Sequence, residues 1–295
     1  MLTDYKTIDV TKIPKPRRRE TILEQLLKLQ PHEGRVLKVD HDPKPLFDFL
    51  TVDHQMDLEW RHLEEGPTWW EVLIVKRSGS DSMRLDDFIG NNLARMLFFA
   101  NYDPRVCLNR NQTLGEFCQH HNLELIETYQ AASQINSYTQ PHFDYWKLSL
   151  FVEFIIENYH RYERKLINDT KEILDKVQKA HGHEWSFLST LASHYDSLML
   201  ILFDHFQEEE DYFFDLLKFQ GSQDALESSY RHVEHDHDES ISVLISIKKL
   251  TNNFTPPGEA CGLTKMLYSN LESLHNDLLC HTFIEEKFLG PMVAQ

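Results

Sequence analysis

The stretch Leu188–Leu216 reads LSTLASHYDSLMLILFDHFQEEEDYFFDL. Alternating steps of three and four from Leu188 meet Leu191, Tyr195, Leu198, Leu202, His205, Glu209, Tyr212 and Leu216, the seam of a packed helix. His205 and Glu209 interrupt the apolar row. A carboxylate on such a stripe costs several kcal/mol to bury and needs a strong partner, such as a cation or a metal. The same device recurs near the C-terminus, where the steps run Leu267, Leu271, Leu274, Leu278, His281, Glu285 and Phe288. Residues four apart share a helix face, so each seam presents one imidazole and one carboxylate inward.

Two further helices are expected around these seams. One runs from Trp146 to about Lys179 and ends near His181-Gly182; the other runs from about His237 to Leu250 and stops before Pro256-Pro257. Four helices with short connections make an antiparallel bundle over 145–293. On the first, His160 continues the row Val152, Ile156, His160; on the third, His237 leads Ile241 and Leu244. The ligand set read from the seams is therefore His160, His205, Glu209, His237, His281 and Glu285. Two glutamates can bridge two metals, with two histidines on each. Mixed imidazole and carboxylate donors at a reactive site favour iron over structural zinc, and manganese also fits them. Tyr159 or Tyr212 is expected to support the ligands from behind. With 17 histidines, chance pairs must occur, and His120/Glu124 and His235/Glu239 are read as such. His181 and His183 lie roughly 30 Å along the helix from His160 and belong to the far end.

Upstream, residues 1–77 read as a small α/β unit. Thr21–Leu29 and Lys44–Leu50 are expected helices, Arg35–Val39 a strand, and Met56–Arg61 with Trp69–Lys76 a hairpin. Ser78-Gly79-Ser80-Asp81-Ser82 is the linker candidate, and Gln140-Pro141 a second break. Between them a short helical domain, 83–136, carries a capping box at Thr113-Leu114-Gly115-Glu116 and places Cys107 in a turn. The fold class is thus multidomain α+β.

Composition narrows the function. A formal charge of −17, from 47 acidic and 30 basic residues, argues against nucleic acid or an anionic membrane as partner. The longest apolar run, Leu198–Phe203, is far shorter than a membrane span. No apolar signal core follows Met1, and the four cysteines have irregular spacing, so a reducing cytoplasm is the expected location.

The pieces Asn158-Tyr159-His160, Ala180-His181-Gly182, His205 through Glu209, His237-Asp238-Glu239, Leu250 through Cys261 and His281 through Glu285 resemble the repair of iron centres (RIC) family of hemerythrin-like di-iron proteins. The resemblance implies a di-iron centre on the six seam residues. It also implies support of iron-sulfur cluster repair under nitrosative or oxidative stress, through iron donation or redox chemistry with nitric oxide. Expected partners are O2 or NO as small ligand and iron-sulfur client proteins. Residues 83–136 are similar to the short helical domain preceding the bundle in that family, whose pattern has two adjacent cysteines; here Leu108 follows Cys107. Residues 1–77 resemble a small domain with the fold of the TusA sulfur carriers, but hold no cysteine, so docking or regulation is the expectation there. The alternative function is a di-iron gas or redox sensor that signals through this N-terminal unit. A metal-free interaction bundle is the third reading.

Overall fold

Strand-period and helix-period segments occupy different parts of the chain, and in the computed structural model they form two units. One comprises residues 1–88 and 111–131, the other 89–110 and 132–295. The structure describes residues 5–30, 33–53, 56, 58–66, 68–76, 83–135, 143–219 and 221–293. Both break candidates, Ser78–Ser82 and Gln140-Pro141, lie outside the described residues.

In the first unit β1 (Thr7–Asp9), α1 (Arg18–Leu27), β2 (Gly34–Val39), α2 (Lys44–Asp48), β3 (Leu58–Glu64) and β4 (Trp70–Lys76) build a four-stranded sheet of order β1-β2-β4-β3. The expected hairpin forms, with Leu58 opposite Lys76 and Trp60 opposite Ile74. Strand β1 pairs parallel with β2 and was not expected, because three residues are too few to show an alternation. Val72 and Ile74 bury on one face with Ile22, Leu26 and Leu37, while Leu73 and Val75 bury on the other with Ile126. Burial on both faces explains why β4 reads as an unbroken apolar run.

The middle stretch supplies α3 (Leu85–Ile89), α4 (Leu93–Ala100), α5 (Leu114–His120) and α6 (Leu125–Ser133). The capping box before α5 forms as read: the Glu116 amide donates to Thr113 Oγ1 at 3.1 Å and the Thr113 amide to Glu116 Oε2 at 2.7 Å. Cys107 closes a 3-10 turn, fully buried, with its thiol donating to the Pro104 carbonyl at 3.0 Å. Burial pushes that thiol well above the ordinary cysteine range, so it is protonated and unreactive.

The second unit is dominated by the bundle. Its first helix is α7 (Leu148–Ile155), a π turn (Ile156–His160) and α8 (Arg161–His181); its second is α9 (Phe187–Glu208), a π turn (Glu209–Phe213) and α10 (Phe214–Lys218). The third is α11 (Gln223–Leu250) and the fourth α12 (Gly262–Phe288), followed by the short α13 (Gly290–Val293). Helix α12 packs on α8 and α11 on α9, and Leu191, Leu198, Leu202, Leu244, Leu271 and Leu274 share one core.

Three sequence readings need correction. Helix α11 begins at Gln223 rather than His237, because its early core face carries the small polar Ser229 beside Leu226 and Val233, which blurs the apolar stripe. The seam beyond Glu209 runs one residue out of step: Tyr212 is 50% exposed and Leu216 only half-buried, whereas Phe213 and Leu217 are buried. The π turn from Glu209 adds one residue per turn and rotates everything after it. The turn ending at His160 acts likewise, so Ile155 is buried and Ile156 only half-buried.

Tyr195 ties the second helix to the first, donating from its buried hydroxyl to the Ile167 carbonyl at 2.9 Å. Tyr195→Phe is expected to cost about 1 kcal/mol in urea unfolding, since the ring packing survives and one buried hydrogen bond does not.

Candidate metal centre

Glu209 and Glu285 follow His205 and His281 by one turn in the later parts of the second and fourth helices, while His160 and His237 stand nearer the middle of the first and third. With antiparallel helices this brings all six predicted residues to one level. They form two groups, His160, Glu209, His281, Glu285 and His205, Glu209, His237, Glu285, with one candidate ligand atom of each residue within 4.8 Å of the others. Every member is buried. The pairs His120/Glu124 and His235/Glu239 are exposed on helix surfaces or turns, in keeping with chance spacing.

Each histidine turns Nε2 towards a shared carboxylate. His160 and His205 Nε2 lie 3.2 and 3.4 Å from the same oxygen of Glu209. His237 Nε2 is 3.1 Å from one oxygen of Glu285 and His281 Nε2 is 2.9 Å from the other. Behind them, three Nδ1 atoms meet outer carboxylates: His160 on Glu210 at 2.8 Å, His237 on Glu286 at 2.8 Å and His281 on Glu163 at 2.9 Å. His205 Nδ1 faces Asp236 at 3.6 Å, beyond hydrogen-bond range. An imidazole whose Nδ1–H is held this way presents a lone pair at Nε2, the arrangement of metal-ligating histidines.

The outer groups are held in turn. Glu210 also accepts from Arg164 at 2.5 Å, and Glu286 from the Tyr230 hydroxyl at 3.0 Å. The His160 bond, with Arg164 beside it, holds the Glu210 carboxyl down to about 2 against the opposing effect of burial. Burial alone would lower the His237 pKa, but Glu285 and Glu286 overcome it and push the imidazole up to about 10. Burial likewise works to raise Glu285, yet His281 and His237 hold it well below the usual carboxylate range. The field of this set attracts positive charge.

The donor set also passes a test of fit. His160 Nε2 and both carboxylate oxygens of Glu209 are buried without a hydrogen bond among the described residues, despite the close approaches above. Leaving such atoms unpaired costs more than burying them paired, and a divalent cation between them removes the penalty. Imidazole and carboxylate donors of this kind suit iron and manganese.

Sequence reading missed the outer carboxylates. Glu210 and Glu286 each directly follow a shared glutamate, Asp236 precedes His237, and Glu163 is three residues beyond His160, so paired acids beside His-x-x-x-Glu were the available signal. The expected tyrosine support is also revised. Tyr212 is turned outward by the π turn, while Tyr159 contributes its ring, stacked on His281 at 4.9 Å and 13°. Phe206 stacks on His160 at 4.6 Å and, with Phe214, walls the site against water.

Comparison with known proteins agrees with this geometry. Residues 153–293 match the family described as the hemerythrin HHE cation binding domain, and residues 7–76 match an uncharacterized conserved family, DUF2249. The chain is 29% identical over 195 residues to the iron-sulfur cluster repair protein YtfE of Edwardsiella ictaluri, covering 65% of this chain and 88% of that protein. It is 28% identical over 199 residues to a probable iron-sulfur cluster repair protein of Haemophilus influenzae, covering 66% and 89%. Against YtfE of Escherichia coli the identity is 30% over 198 residues, covering 65% and 88%. A carboxylate-lined, four-histidine bundle core and relatives matched over most of their length agree on one assignment: the chain belongs to the iron-sulfur cluster repair family of hemerythrin-type proteins.

Proposed function

We propose that this chain holds two iron ions on His160, His205, Glu209, His237, His281 and Glu285, and supports repair of iron-sulfur clusters under nitrosative or oxidative stress. The observation that carries this reading is the pair of four-residue groups sharing both glutamates. The relatives' names point to the same process. When bound, two adjacent iron ions supply electron storage and coordination of a diatomic such as O2 or NO. The chain's own residues do the rest. Glu209 and Glu285 serve both groups, the four imidazoles complete them, and Glu163, Glu210 and Glu286 hold the rings in the ligating tautomer. Phe206, Phe214 and Tyr159 keep the surroundings dry.

The proposal extends to the chain as a whole: a cytoplasmic protein whose clients are iron-sulfur proteins, organised as an N-terminal domain (1–77), a short helical domain (83–136) and the bundle (145–293). No helix among the described residues is long and apolar enough to cross a membrane. The test is iron content after anaerobic purification, with absorption spectra before and after nitric oxide, for wild type and for His205→Ala with Glu209→Ala. About two irons per chain, lost in the double variant and spectrally perturbed by the gas, is the expected result. A folded, iron-supplied wild type without stoichiometric metal would overturn it.

One observation favours a second reading. The relatives cover only about two thirds of this chain, and the N-terminal segment matches a separate family. A sensor that signals through residues 1–77 would lose its output on their deletion while keeping its metals. Repair carried by the remaining chain alone counts against it.

A further inference from the structure

Away from the metal centre, α4, the end of α11 and the middle of α12 border a half-open cavity of about 640 Å³. That volume falls within the range of small-molecule sites. Leu97, Phe98 and Phe254 give it an apolar wall. Lys248 and Glu272 bring one charge of each sign. They are close enough to influence one another, yet they form no ion pair within 4.0 Å, and Lys248 has no carboxylate partner among the described residues. Glu272 is exposed and Lys248 half-buried, so the lysine lies open to an incoming anion. Its ammonium is held below the ordinary lysine range by burial, against the pull of Glu272.

His275 is the second unpartnered group. It lines the cavity at 2% exposure, and its Nδ1 is buried without a hydrogen bond. Burial, aided by Lys248, pushes the imidazole down to about 3, so the ring is neutral at physiological pH and adds no second positive charge. Three carboxamides, Asn101, Asn253 and Asn276, complete the polar lining and can each donate and accept.

The backbone is strained where it meets this cavity. Asn252, Asn253 and Phe254 have φ of 49°, 53° and 57°, three successive non-glycine residues in the left-handed region. Asparagine tolerates that region, but an aromatic residue there is a costly exception. The turn is fixed by Thr251, whose hydroxyl donates to the Ile247 carbonyl at 2.8 Å and accepts from the Phe254 amide at 3.3 Å. Its result is to place Asn253 and Phe254 on the cavity, with the Phe254 ring 5.2 Å from that of His275.

From these features we propose that the cavity is a binding site for a small zwitterion of the amino-acid type. Its carboxylate is met by Lys248 with the neighbouring carboxamides, its ammonium by Glu272, and its side chain by Leu97, Phe98 and Phe254. Two opposite charges held apart on one cavity select a ligand that bears both. An anion alone would meet Glu272, and a cation alone would meet Lys248. The site is separate from the metal residues and does not depend on the repair reading.

The test is isothermal calorimetry on the full-length, metal-loaded protein, with the standard amino acids as probes. L-phenylalanine has two matched controls, 3-phenylpropionate without the ammonium and phenethylamine without the carboxylate, and inorganic phosphate is a third. At least one amino acid is expected to bind, with each analogue lacking one charge at least ~10-fold weaker. Lys248→Gln and Glu272→Gln are each expected to weaken the amino acid by a similar factor; iron content and circular dichroism verify their fold. The proposal fails if no amino acid binds up to ~10 mM, or if phosphate or a singly charged analogue binds as well. It also fails if both folded variants bind unchanged. The analogue series on wild type decides the matter even where a variant does not fold.

Discussion

Glu285→Ala is expected to remove both metals from the chain, whereas His160→Ala and His205→Ala are each expected to remove chiefly one. The asymmetry follows from membership: Glu209 and Glu285 belong to both four-residue groups, while His160 with His281 and His205 with His237 belong to one each. Removing Glu285 strips a donor from both groups and leaves each with two imidazoles and a share of Glu209 alone, too few to hold a metal firmly. Removing a histidine leaves the other group with its full set. Iron per chain measured by mass spectrometry separates the cases, with about two in wild type, about one in either histidine variant and close to none in Glu285→Ala. If the histidine and glutamate variants lose metal equally, the shared-carboxylate reading falls. Outer carboxylates act more weakly, and Glu163→Gln or Glu286→Gln is expected to lower metal affinity by roughly 10–100-fold, because each only orients a ring.

Asp277→Asn is expected to stabilise the metal-free protein at neutral pH. Burial raises the Asp277 carboxyl to about 7, and the nearby Glu163 adds to the effect against the opposing pull of His281. In the unfolded chain the same group titrates near 3.8. The folded state therefore binds the proton more tightly. Below pH 3.8 both states are protonated and the group contributes nothing unfavourable. As pH rises towards 7 the unfolded chain releases its proton first and stability falls, levelling once pH exceeds the folded value. Asparagine keeps the shape and removes this linkage. The gain at pH 8 is on the order of 2–4 kcal/mol, seen in denaturant melts of apoprotein across pH 4 to 8. A variant whose stability follows the wild-type pH curve would show that Asp277 does not carry this penalty. Metal loading is expected to shrink the difference, since positive charge nearby favours the ionised aspartate.

Both expectations rest on residues of unequal visibility. Glu209 and Glu285 were legible in the sequence because they stand where leucine should, and a buried charge on a seam demands an explanation. His160 and His237 were legible by elimination, as the histidines of the remaining two helices that continue an apolar row. Glu163, Glu210, Glu286 and Asp236 were not, since an acid on a helix normally faces water and nothing in its neighbours says otherwise. Asp277 and Lys248 lie in the same category.

By itself, the sequence determined the helix and strand periods, the seams and the identity of six candidate ligands. Those depend on local spacing, and along a regular α-helix residues four apart lie about one turn apart on the same face. Only the tertiary structure decided which helix faces meet. The π turns at His160 and Glu209 are local insertions that no period reveals, and each rotates the residues beyond it by one position. They turned Tyr212 outward and brought Phe213 and Leu217 into the core. The same docking set outer carboxylates behind three imidazoles and, among the described residues, left Lys248 without a carboxylate partner and His275 Nδ1 without a hydrogen bond on one cavity. Electrostatic environment depends on distances across helices, and those are created by packing rather than by order along the chain.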